Sequence, residues 1–124
     1  MKKIISLFIL CSVALHTHSQ EILDQATKDI NDGMFLITKL DELNDVNERI
    51  DANVKLGKST KNSRVLDSII CSTRPLMEKK LLIINELIDS EILLDANLRD
   101  ARDEKIEDRV KVKAFLEMTK SRCL

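Results

Sequence analysis

Two cysteines, Cys71 and Cys123, and several groups of carboxylates are the residues whose types and spacing could support chemistry. Both histidines, His16 and His18, and the third cysteine, Cys11, fall in an N-terminal stretch with the character of an export leader. Beyond it no imidazole remains to serve as a base, and the usual Cys and His sets for zinc are missing. Carboxylates are what is left. Asp41 with Glu42, Asp89 with Glu91, and the series Asp100, Asp103, Glu104, Glu107 and Asp108 could in principle pair as acid and base or hold calcium. In the last series Arg99, Arg102, Lys105 and Arg109 are interleaved, the pattern of a solvated helix face with ion pairs three and four residues apart. Asp29, Asn31 and Gly33 echo a calcium loop, but the glycine falls one place early and Leu40 stands where the closing glutamate belongs. No glycine-rich phosphate loop, CxxC pair or Asn-x-Ser/Thr acceptor occurs. The sequence therefore predicts a protein that is not an enzyme, with no catalytic, cofactor-binding or metal-binding residues.

The leader is read over residues 1–19. Lys2 and Lys3 supply its charged start, Ile4 to Leu15 its apolar stretch, and Thr17 and Ser19 the small residues before a cut ahead of Gln20. A short membrane anchor or a buried first helix is the competing reading, and the polar stretch that follows at once argues against it. Residues 20–124 are then a single secreted domain of about 105 residues, near the size where one core suffices without surplus. Removing Lys2 and Lys3 leaves 18 basic against 21 acidic residues, a formal charge of −3. That balance disfavours nucleic acid, which needs a concentrated basic face.

Export also bears on the thiols, because an oxidising compartment converts an even number of cysteines into bridges. The expected bridge is Cys71 to Cys123 within one chain, giving a monomer; the alternative is an intermolecular bridge. An intramolecular bridge constrains the path of the backbone. From Leu76 to Cys123 there is neither proline nor glycine, yet a continuous helix would hold the sulfurs on the order of 80 Å apart, whereas the bridge needs alpha carbons within about 7 Å. The chain must double back, with a turn expected in Asp95 to Asp103 around Asn97.

The elements that position these groups read as helices throughout. Pro75 to Leu94 is the densest aliphatic run after the leader: Met77, Leu81, Ile84, Ile88 and Ile92 follow helical spacing, widened by Leu82, Ile83, Leu87 and Leu94. It reads as a central helix covered on several sides. It is no membrane span, since Glu78, Lys79, Lys80, Glu86, Asp89 and Glu91 interrupt it. Lys79 and Lys80 read as exposed charges rather than a processing site. Upstream, Ile22, Ala26 and Ile30, then Leu36, Leu40, Leu43, Asn47, Ile50 and Val54, keep helical spacing across Asn31, Asp32 and Gly33, a triplet that slightly favours an interruption over a helix that runs through with a kink. The run Met34 to Ile37 is too apolar for one face of a single helix and marks a covered helix or a contact surface. Gly57 to Asn62 is the expected loop, with Gly57 as a C-cap. Asn62 or Ser63 would cap a short helix over Arg64 to Thr73 that ends at Pro75. The last helix would run to about Ser121, with Ile106, Val110, Val112, Phe115, Leu116 and Thr119 or Met118 turned inward. The predicted fold is all-α, a small bundle of four to five helices stapled by one disulfide.

The order Cys71, three residues, Pro75 and Leu76, a leucine-rich helix, and VKAFLEMTKSRCL closing at Cys123 and Leu124 resembles small secreted proteins of the insect male accessory gland. The resemblance covers about the last third of the chain. It implies a seminal-fluid protein that passes to the female and acts in reproduction without being an enzyme, and no family functional residue maps onto a position here. The expected function is binding of an extracellular protein or receptor. Two alternatives are a carrier of small apolar ligands, which would need a cavity among the helices, and a cytokine-like receptor ligand, which would need an exposed patch on one helix pair. With only Phe35 and Phe115 as aromatics after the leader and no Trp or Tyr, the composition predicts a filled aliphatic interior and no high-affinity lipid binding.

Overall fold

A computed structural model describes the backbone of residues 2–124 and the side chains of residues 19–124. The leader predicted over residues 1–19 thus lies, Ser19 apart, outside the described side chains. The described residues hold no strand. They form three α-helices, α1 (Lys2–Ser59), α2 (Ser63–Asp89) and α3 (Arg99–Thr119), with short 3-10 turns at Glu91–Leu94, Ala96–Leu98 and Ser121–Cys123. The all-α class is as expected, but there are three helices rather than four to five, because neither Gly33 nor Pro75 breaks the chain. No helix among the described residues is long and apolar enough to cross a membrane.

The chain divides into two compact units, Met1–Phe35 and Leu36–Leu124. In the first, helix α1 runs through Asn31, Asp32 and Gly33, and no described residue adopts a positive φ. Side-chain amides bond one turn ahead, from Gln20 Nε2 to Asp24 Oδ1 at 3.1 Å and from Gln25 Nε2 to Asp29 Oδ1 at 2.9 Å. Those pairs support a helix locally, so a single glycine costing roughly 1 kcal/mol does not end it. The predicted stripe has helical spacing, but Ile22 and Ile30 are exposed, as are Leu23 and Met34.

In the second unit α2 runs antiparallel to both α1 and α3. Along α1, Lys39 bonds Glu86 and Asn53 bonds Thr73, and Gly57 faces Leu66, so rising numbers on one helix meet falling numbers on the other. Along α3, Arg109 meets Asn85, Leu116 and Thr119 meet Arg74, and Cys123 meets Cys71 in the same antiparallel sense. The apolar core is Leu43, Val46 and Ile50 of α1, Ile83, Ile84, Leu87 and Ile88 of α2, Leu93 of the first 3-10 turn and Val112 of α3. Ile84 is fully buried, as the central position of the predicted stripe requires. Val46, 1 % exposed, was absent from the expected α1 stripe, in which Asn47 is only half-buried. On α3 the inward threonine is Thr119, while Met118 and Val110 face solvent.

Helix α2 passes through Pro75, where sequence reasoning placed a boundary. The missing amide and the ring's clash with the preceding turn cost about 3 kcal/mol or more in a helix interior. Anchors immediately before the proline offset this. Ser72 Oγ and Thr73 Oγ1 both donate to the Ile69 carbonyl, at 2.9 and 2.7 Å, and Arg74 is bonded to α3. Cys71, one turn upstream of Pro75, is bridged to Cys123 with alpha carbons 5.4 Å apart, the intramolecular pairing that the sequence predicts.

Both ends of α2 differ in detail from expectation. Helix α1 continues past Gly57 to Ser59, so the loop shortens to residues 60–62, and Asn62 caps α2 by accepting from the amides of Arg64 and Val65 at 3.0 and 3.3 Å. At the other end Ser90 adopts an extended backbone, and its Oγ donates to the Leu87 carbonyl at 2.6 Å, which stops the helix before Leu94. The reversal therefore occupies residues 90–98 rather than Asp95 to Asp103. Leu93 is buried within it, and Asp95 Oδ1 accepts from the Asn97 amide at 2.9 Å.

Candidate functional site

Thr73 and Thr119 are the two buried polar residues of the described chain, and both follow one rule. Each hydroxyl donates to the carbonyl one turn back, Thr73 to Ile69 at 2.7 Å and Thr119 to Phe115 at 2.8 Å. Each then accepts from a polar side chain on a neighbouring helix. Asn53 Nδ2 of α1 donates to Thr73 Oγ1 at 3.1 Å, and Arg74 Nη1 of α2 donates to Thr119 Oγ1 at 2.5 Å and to the Leu116 carbonyl at 2.6 Å. Adjacent residues 73 and 74 thus key α2 to both neighbours. Beside them Arg122 Nη1 lies 3.7 Å from Asp67 Oδ1, next to the Cys71–Cys123 bridge.

Above the Asn53–Thr73 pair an apolar groove of about 340 Å³ opens to solvent. Helix α1 contributes Asn53, Val54, Gly57 and Lys58; α2 contributes Leu66, Ile69, Ile70, Thr73 and Met77; and α3 contributes Phe115. The groove exists because of what α1 presents. Opposite a row of large aliphatic residues it offers a short amide, a valine and a glycine, and none of these fills the space. A Cβ at Gly57 would lie 3.4 Å from Leu66 Cδ1 and 3.9 Å from Ile69 Cγ2. The interior is filled around Val46, Ile84 and Leu87, as composition predicts, and the groove lies outside it at the solvent surface. A smaller cleft of about 170 Å³ lies among Leu36, Leu40, Leu87, Leu93, Leu98, Ala101 and Lys105.

The carboxylates do not converge. Asp100, Asp103, Glu104 and Glu107 are exposed on α3; Glu104 lies 3.6 Å from Lys105 Nζ and Glu107 lies 3.2 Å from Lys111 Nζ. Asp41 and Asp89 are exposed, and Glu42 lies 3.5 Å from Lys39 Nζ. No group of three or more candidate metal ligands occurs among the described residues. Among the described residues Lys39 stands out electrostatically: its hydrogen bond to Glu86, chiefly, and the nearby charge of Glu42 raise its pKa above 10.5, against an opposing desolvation. That ion pair ties α1 to α2 at the end of the unit away from the groove.

Sequence reasoning did not find Asn53, Arg74 or the groove. The available signal was weak: Thr73 and Thr119 each stand four residues after a large apolar residue, Ile69 and Phe115, a spacing at which a threonine hydroxyl can bond back to the helix and be buried. No family model, no characterised protein and no solved structure matches this chain.

Proposed function

We propose that the protein is an exported, non-enzymatic binding protein that carries a small apolar ligand in the groove formed by α1, α2 and Phe115. The observation that carries this reading is the groove itself. Its volume of about 340 Å³ lies in the range of roughly 300–1,000 Å³ typical of small-ligand sites, and its lining is mainly aliphatic with a few polar groups. The carrier reading needs open apolar volume, and the groove favours it over contact with a partner protein. Export is supported by the leader-like residues 1–19 and by the disulfide between Cys71 and Cys123. The C-terminal resemblance to accessory-gland proteins supports a secreted fluid, seminal fluid in particular, as the place of action.

The test is uptake of a neutral apolar dye, N-phenyl-1-naphthylamine, by the oxidised protein and by Gly57→Phe. The new ring grows from a Cβ already in contact with Leu66 and occupies the groove. Saturable one-to-one uptake that Gly57→Phe abolishes, with helix content retained, is the expected result. Absence of saturable uptake by the unsubstituted protein, or equal uptake by a folded Gly57→Phe variant, overturns the reading.

A further inference from the structure

Gly57, Lys58 and Leu66 place one end of the groove beside the connection between α1 and α2. That connection has an uneven charge. Between Asp51 and Asp67 the sequence holds Lys55, Lys58, Lys61 and Arg64 and no acidic residue, in a chain whose net charge is −1. All four cations are exposed, and none forms an ion pair among the described residues. Asp67, the nearest carboxylate downstream, faces Arg122 instead. Lys79, Lys80, Lys113 and Lys120 also lack an ion pair, so what sets residues 55–64 apart is four cations in a row of sequence with no carboxylate among them.

We infer that the groove takes a single-chain anionic amphiphile, its hydrocarbon tail along Leu66, Ile69, Ile70 and Met77 and its acidic head at Lys58, Lys61 and Arg64. This rests on the groove being a ligand site and adds the ligand's charge and shape. The apolar lining selects the tail, and the one ionisable side chain in that lining, Lys58, is a cation. The volume sets the length. At about 340 Å³ the groove is near the low end of the roughly 300–1,000 Å³ range of small-ligand sites, which suits one medium chain better than two. Because the cations are exposed and screened, they contribute preference rather than most of the affinity, which comes from burying the tail at roughly fourfold per methylene.

The experiment titrates the oxidised protein with three ten-carbon probes, decanoate, decanol and decyltrimethylammonium, at low and at high salt. Decanoate is expected to bind one-to-one, on the order of tenfold tighter than decanol at low salt, with the cation weakest and the spread narrowing at high salt. The double substitution K61E/R64E, at two exposed residues outside the groove lining, is expected to invert the order of decanoate and the cation while decanol affinity and the melting temperature stay unchanged. If all three probes bind equally, or only the neutral dye binds, the anionic inference fails and the groove remains a ligand site. If neither the probes nor the dye bind, both readings fail. Sedimentation with vesicles rich in anionic phospholipid, without binding of free decanoate, overturns the inference in favour of a membrane surface.

Discussion

Breaking the disulfide by C71S/C123S should remove a large part of the stability of the unit Leu36–Leu124 while leaving its native packing in place. The two cysteines are 52 residues apart in sequence. Closing a loop of that length restricts the unfolded chain by an amount worth about 4 kcal/mol in the chain-entropy account. That is a large share of the roughly 5–15 kcal/mol that holds a small domain together. In urea, where unfolding free energy of a small protein falls by about 1–3 kcal/mol per molar, the midpoint should drop by about 2 M. The slope should also rise, because the unbridged unfolded chain exposes more surface. Natively, Arg74 still bonds Leu116 and Thr119, so hydrogen exchange should stay slow near Val112 and Thr119. Protection should be lost first in the 3-10 turn Ser121–Cys123, which the bridge pins to α2. A midpoint shift corresponding to less than about 1 kcal/mol, with an unchanged slope, would refute the argument that the bridge acts by restricting the unfolded chain.

Three further outcomes are expected. Arg74→Met removes two charge-assisted hydrogen bonds to α3 and should cost about 2 kcal/mol in urea unfolding; a double-mutant cycle with Thr119→Val that shows no coupling would deny the link. Gly33→Ala should increase far-UV helix content, because nothing lies within 4 Å of the added Cβ and alanine favours a helix by about 1 kcal/mol, whereas a real break at that glycine would make alanine destabilising. Lys39 has a pKa raised above 10.5 in the folded protein, so its contribution is fully present below the unfolded value and is lost as pH rises through the folded one. Melting temperatures of the unsubstituted protein and Lys39→Met should therefore differ below pH 10.5 and converge above it; a constant gap would contradict the assignment.

What the sequence made legible, and what it hid, divides along a physical line. Periodicity reports which residues can share a face, and it correctly identified α2 as the central element, with Ile84, Leu87 and Ile88 buried. The need to bring Cys71 to Cys123 required a reversal, and the observed residues 90–98 overlap the expected interval; the error came from assuming helices of equal length, when Ser90 ends α2 early. Gly33 and Pro75 were misread for a shared reason. Local propensities rank the cost of a residue in a helix but say nothing of what lies around it, and at Pro75 the surroundings include a bridge, the Ser72 and Thr73 hydroxyl bonds to the Ile69 carbonyl, and an arginine clamp.

The groove was hidden by a different limitation. Composition counts the large side chains available, and an abundance of leucine and isoleucine argues for a filled interior. Filling, however, depends on which residues oppose one another across a helix pair. Val46 is buried in the core, whereas two turns and more farther along the same helix Asn53, Val54 and Gly57 leave open the space before Leu66, Ile69 and Ile70. The register that decides this is set by Asn53 on Thr73 at one level and Lys39 on Glu86 at another. Neither pair announces itself in sequence, since each joins an ordinary polar residue of α1 to one far along the chain. A groove in such a small bundle thus requires no unusual composition, only a helix whose small residues fall together opposite a row of large ones.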